Sequence, residues 1–135
     1  MFLHIIHFIS FATSTMALSE VPLKYRVSWE AIVNPYRSEC ICEIGLDPAL
    51  ARDFFLRGEY STTPCVYCYI KCLALKLDLL DAAGKVNEAN VVRLIAGTTP
   101  LIVAKCNNQT RLEKDICLLS YNMYQCVLTA LLIPK

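Results

Sequence analysis

The chain has 135 residues, 56% of them hydrophobic, and a formal net charge of +1 from 13 basic and 12 acidic side chains. The two signs are intermixed, so no basic stripe exists to neutralise phosphates, and nucleic acid is excluded as an expected partner. Its two histidines, His4 and His7, both precede residue 8, which removes Ser-His and Cys-His nucleophile pairs and His-ligated zinc from everything downstream.

Met1 to Ala17 carries no Asp, Glu, Lys or Arg; its apolar centre gives way to the small residues Ala12-Thr13-Ser14-Thr15-Met16-Ala17. That order predicts a secretory signal peptide over residues 1–17, cut after Ala17, with Ser14 as the second choice. The run is shorter than the ~20 apolar residues of a spanning helix. Residues 18–135 then form a single domain in a compartment where disulfides persist.

Beyond the leader, helix signals recur and strand signals do not. A first helical segment is expected over about 25–42, kinked or broken at Asn34-Pro35 and ended by Gly45. Asp47-Pro48 reads as N-cap and first helical residue of a segment to about Leu56, closed by Arg57-Gly58. Thr63-Pro64 repeats that signature and opens the strongest helix, to about Leu80. Its expected solvent stripe is Lys71, Ala74, Asp78 and Asp81, with Cys65, Cys68, Cys72, Leu75 and Leu79 on a buried face. Gly84 is its expected C-cap. Asn87 caps a short helix to about Ala96, Thr99-Pro100 opens another to about Lys105, and a last amphipathic helix covers about 112–132. The fold class expected is all-α, with about six helices.

Eight cysteines punctuate these elements, six of them in the order C-x27-C-x3-C-x33-C-x10-C-x8-C from Cys40 to Cys126. Cys68 and Cys72 are one helical turn apart and cannot reach good disulfide geometry with each other, so each must bond to a different neighbour. Cys117 and Cys126 are separated by roughly 900° of helical rotation, so they face opposite sides of the last helix. Helices braced in this way tolerate a poorly filled centre, because each bridge contributes roughly 2–4 kcal/mol. The high apolar content then has two readings, an apolar-lined cavity or an oligomer interface.

The segments Cys68-Tyr-Ile-Lys-Cys72-Leu, Asp81-Ala-Ala-Gly84-Lys-Val86 and Cys117-x8-Cys126, with Cys40-Ile-Cys-Glu-Ile-Gly45 ahead of them, resemble the insect odorant-binding proteins of the pheromone and general odorant-binding family. The resemblance spans nearly the whole chain. It implies about six helices around an apolar cavity, stapled by three or four interlocked disulfides paired first to third, second to fifth and fourth to sixth. Carried over, these are Cys40–Cys72, Cys68–Cys117 and Cys106–Cys126. Cys42 and Cys65 lie outside that pattern. They bond to each other, stay free, or pair with a partner chain.

The function implied is a secreted, extracellular, non-catalytic carrier of a small hydrophobic molecule, an odorant or pheromone. It would reach a membrane odorant receptor indirectly and act as a monomer or weak homodimer. No cofactor and no metal are needed. Tyr121, Tyr124 and Leu128 form a stripe on the last helix that reads as pocket wall, a phenol offering the ligand a hydrogen bond. Val92, Ile95 and Ile102 lie where the family places other wall residues; Leu73 and Leu77 fit core or wall equally. Trp29 is expected to pack in the first helix. Asn108-Gln109-Thr110 is a glycosylation sequon expected in a loop. Cys65-Val-Tyr-Cys68 beside Cys40 and Cys42 would make a four-thiolate zinc site or redox pair, a reading that the secretory context disfavours. The rival function is a secreted disulfide-rich interaction protein, salivary or venom-like, with a filled core. Without histidine, ligand release driven by mild acid has no obvious switch.

Overall fold

A computed structural model describes residues 19–134; the leader expected over residues 1–17 lies outside the described residues. The fold is all-α in its architecture. Its helices are α1 (Leu23–Val33), a 3-10 turn (Asn34–Tyr36), α2 (Arg37–Ile44), α3 (Pro48–Ala51), α4 (Phe54–Arg57), α5 (Pro64–Lys76), α6 (Glu88–Leu94), α7 (Pro100–Thr110) and α8 (Ile116–Ala130). The sequence gives no sign of the two-residue strands β1 (Ser19–Glu20) and β2 (Ile133–Pro134), which pair antiparallel, Ser19 opposite Pro134.

Each departure from the expected elements has a local cause. Pro35 lacks the N–H that would continue α1, so the chain tightens into the 3-10 turn before α2. Across that turn the Arg37 guanidinium donates to the Glu30 carboxylate. Asp47 caps α3 by accepting from the Ala49 amide at 2.9 Å, but the helix does not run on to Leu56. Arg52 is extended and Asp53 is left-handed at φ 54°, a reversal that lets Ala51, Phe54 and Phe55 all be buried.

α5 stops at Lys76, short of Leu80, because Asp78 takes a positive φ of 54°. The chain then turns so that Leu80 bridges Val86. Gly84 belongs to this turn rather than to a helix cap: Asp81 Oδ1 accepts from the Ala83 and Lys85 amides, both at 2.9 Å. Ala74, expected on the solvent stripe, is buried. The inward face of α5 is Val66, Tyr69, Ile70, Leu73 and Ala74, and Cys65, expected to be buried, is exposed. α7 runs beyond Lys105 to Thr110, which places Asn108 on an exposed helical turn instead of a loop. α8 starts four residues later than expected, where Asp115 accepts from the Cys117 amide at 3.0 Å.

α5 and α8 pack in opposite directions through the centre, with the Ser61 amide donating to the Tyr121 hydroxyl at 3.0 Å and Cys68 bonded to Cys117. Cys40–Cys72 ties α2 to α5, and Cys106–Cys126 ties α7 to α8. Cys68 and Cys72 thus bond to different neighbours, and the two cysteines of α8 serve its two flanks.

Cys42 and Cys65 form no bridge; both are free and exposed. The Glu39–Lys76 ion pair at 2.6 Å and the Cys40–Cys72 bond show α2 and α5 running in opposite directions. Cys42 lies about 3 Å along the axis from Cys40, whereas Cys65 lies about 10 Å from Cys72, which leaves an offset of about 7 Å. Disulfide geometry does not span that distance.

Two outcomes follow for residues 18–135. Native protein titrated with a thiol reagent reacts at two cysteines, and at eight only after denaturation and reduction. Replacing either Cys68 and Cys117 or Cys106 and Cys126 by alanine lowers the unfolding free energy by about 3–4 kcal/mol in denaturant titrations. The Cys68–Cys117 pair, with the longer sequence separation of 49 against 20, costs slightly more.

Candidate functional site

Between α1, α4, α5, α6 and α8 lies a cavity of about 110 Å³ with an almost wholly apolar wall. α5 supplies Ile70, Leu73 and Ala74 at one helical period. α1 contributes Trp29, Ile32 and Val33 opposite, and Phe55 enters from α4. The turn after α5 contributes Leu77, Leu79, Leu80 and Val86, which explains why α5 must end early: a continued helix would carry Leu79 and Leu80 around the axis instead of delivering them inward. Val91 from α6 and Ile95 just beyond it close one side, and α8 adds Ser120, Met123, Tyr124 and Val127.

The wall residues named from the sequence divide. Leu73, Ile95 and Tyr124 face the cavity, as does Leu77; Val92, Ile102, Tyr121 and Leu128 do not. On α6 the inward position is Val91, one residue earlier than expected. Ile102 instead lines a shallow groove between α7 and α8. On α8 the expected stripe of Tyr121, Tyr124 and Leu128 is out of phase, and the wall is Ser120, Met123, Tyr124 and Val127. Tyr121 stacks on Tyr67 at 4.1 Å, and Leu128 is 1% exposed within the core. Both stripes are apolar and both obey helical spacing, so periodicity has no means of choosing between them.

Three polar side chains reach the wall, and each has a protein partner. Trp29 Nε1 donates to the Ala96 carbonyl at 2.9 Å. Ser120 Oγ donates to the Ile116 carbonyl at 2.8 Å. The Tyr124 hydroxyl donates to the Glu59 carbonyl at 3.1 Å. Burial pushes the Tyr124 phenol well above its ordinary value of 10.0, helped by Tyr121, Tyr60 and Glu59 nearby and opposed by Arg57.

Among the described residues, no three His, Cys, Asp or Glu side chains converge to hold a metal ion. The four-thiolate reading fails on its own terms, because Cys40 and Cys68 are consumed in disulfides. No described helix is long and apolar enough to cross a membrane.

The PBP/GOBP family model matches residues 25–130. The chain belongs to this family. The matched span contains all six bridged cysteines and every residue of the cavity wall. No solved structure matches the chain.

In this PBP/GOBP chain the one titratable side chain on the cavity wall is the Tyr124 phenol. No group on the wall changes charge between pH 6 and pH 7.5, so the affinity of any bound apolar molecule stays within about twofold across that interval in titration calorimetry; a tenfold loss would contradict the geometry. The alkaline limb differs. The folded chain keeps the Tyr124 proton where the unfolded chain, with an ordinary phenol at 10.0, has lost it. This contribution is present below pH 10 and lost as pH rises above it. Urea midpoints fall from pH 9.5 to pH 11, and the fall is shallower in Tyr124→Phe.

Proposed function

We propose that the chain is a secreted, non-catalytic carrier that holds a small hydrophobic molecule, of the odorant or pheromone kind, in the cavity between α5 and α8. The observation that carries this reading is the cavity itself: about 110 Å³ of apolar space at the centre of a disulfide-braced helical domain. A void of that size costs stability, and occupation by a guest recovers the lost contacts. Family membership and the three disulfides support a carrier working outside the cell. Delivery to a membrane receptor belongs to the same reading and rests on family membership alone. The rival, an interaction protein with a filled core, predicts solid packing at the place where the cavity lies.

The test uses the mature chain refolded or expressed under oxidising conditions. Native mass spectrometry finds a co-purifying apolar molecule, or an added one shifts the emission of Trp29, the single tryptophan and a wall residue. Ala74→Leu places three further carbon atoms in the cavity. Its expected effect is at least a tenfold loss of affinity with the melting temperature unchanged or raised. If no apolar molecule binds the parent chain, or if the filled variant binds equally well, the carrier function does not reside in this cavity.

A further inference from the structure

We infer that the cavity selects compact hydrocarbons and discriminates against carbonyl-bearing molecules of the same shape. The inference rests on the carrier reading above and narrows its ligand class.

Size comes first. An apolar cavity of about 150 Å³ takes benzene, and the present one, at about 110 Å³, is somewhat smaller. A guest that leaves the wall in place is therefore compact, close to a five- or six-carbon ring. Met123 is the one long, unbranched side chain on the wall and the one able to yield space by rotation.

Polarity decides the class. A ketone, aldehyde or ester brings an acceptor and no donor, so it binds well only where the wall offers an unspent N–H or O–H. The three side-chain donors at the wall are all committed: Trp29 to the Ala96 carbonyl, Ser120 to the Ile116 carbonyl and Tyr124 to the Glu59 carbonyl. The cavity surface is otherwise apolar almost throughout, so backbone amides do not reach it. A carbonyl entering this space gives up its water and gains no partner. A hydroxyl-bearing guest is a different case, because Ser120 Oγ and the Tyr124 oxygen keep lone pairs that accept a hydrogen bond. The discrimination is therefore sharpest against carbonyl compounds. Of the two phenols that the sequence offers as the ligand's hydrogen-bond donor, Tyr121 is off the wall and Tyr124 is spent by the fold on its own backbone.

The experiment is a matched pair of ligands on the unmodified mature chain: methylenecyclopentane and cyclopentanone, alike in ring and differing in =CH2 against =O. Binding is followed by methyl chemical shifts of Leu73, Val91 and Val127. The hydrocarbon binds at least about tenfold more tightly, the factor expected when a buried acceptor is left without a donor. A ratio below tenfold means that a donor on the wall is available, and it overturns the selectivity while leaving the carrier reading intact. If neither compound moves those methyl signals at its solubility limit, and larger apolar molecules do not move them either, the carrier reading falls and the selectivity with it.

Discussion

The bond between Cys68 and Cys117 is the constraint on which the rest depends. It joins the two central helices, α5 and α8, and the remaining bridges hang one outer helix on each of them: α2 on α5 through Cys72, α7 on α8 through Cys126. Four helices thus form one covalent chain independent of side-chain packing at the centre. The magnitudes show why this permits a void. At about 24 cal/mol per Å³, a cavity of 110 Å³ costs about 2–3 kcal/mol. A single bridge contributes about as much or more, so three of them leave the domain stable with its middle unfilled.

The tyrosine hydroxyls near the void are spent on the protein's own groups. Three tyrosines meet the loop between α4 and α5, and a fourth, Tyr60, reaches out from it. Tyr60 and Thr129 share a hydrogen bond at 2.8 Å, Tyr121 accepts from the Ser61 amide, Tyr67 donates to the Ser61 carbonyl at 3.2 Å, and Tyr124 donates to the Glu59 carbonyl. The Tyr60, Tyr121 and Tyr124 hydroxyls stitch the loop to α8, and the Tyr67 hydroxyl ties it to α5. The rings of Tyr67, Tyr121 and Tyr124, with Phe54 and Phe55, pack as a cluster in which Phe55 meets Tyr124 edge-on at 5.7 Å. The apolar side of each residue serves the interior and the polar tip serves the backbone, which is the usual division of labour for a half-buried phenol.

How much of this was legible depends on which force sets each feature. The helical class, the Thr63-Pro64, Asn87 and Thr99-Pro100 starts and the break at Asn34-Pro35 are local chemistry, and local chemistry is written in the residues. The separate partners of Cys68 and Cys72 were likewise readable, since an i, i+4 pair cannot close on itself. Helix ends set by tertiary demand were not. α5 stops at Lys76 because Leu79 and Leu80 are needed inward, and Asp53 turns left-handed to bury Phe54 and Phe55; neither reason exists until the neighbours are in place. The wall phase of α8 was hidden for another cause. Both of its apolar stripes satisfy the same period, and only the positions of α1 and α5 decide which one meets the void. The fate of Cys42 and Cys65 turned on an axial offset between two antiparallel helices, awkward already from the spacings once Cys40 is paired with Cys72, and the two thiols stay free.

The same bracing that permits the cavity limits what it can hold. A compact guest buries roughly 100–150 Å² of apolar surface, about 2.5–4 kcal/mol before the entropy of capture is subtracted. Enlarging the space means moving its wall, and most of that wall sits on α1, α5 and α8, where two of the three helices are cross-linked twice or more. The turn between α5 and α6 is held differently. It is fastened by the Leu80–Val86 bridge, the Asn87 amide on the Leu79 carbonyl at 2.8 Å and the Asn90 amide group on the Asp78 carbonyl at 3.0 Å, with no covalent tie within it. Of its wall side chains Leu77 and Leu79 are half-buried and Leu80 and Val86 buried, whereas Ile70, Leu73 and Ala74 of α5 are all buried. Any dilation for a larger molecule therefore costs least on that side. On the carrier reading, the cross-linked face, Leu73 and Ala74 against Met123 and Val127, would set the shape a guest must match, and the turn how far that match can be relaxed.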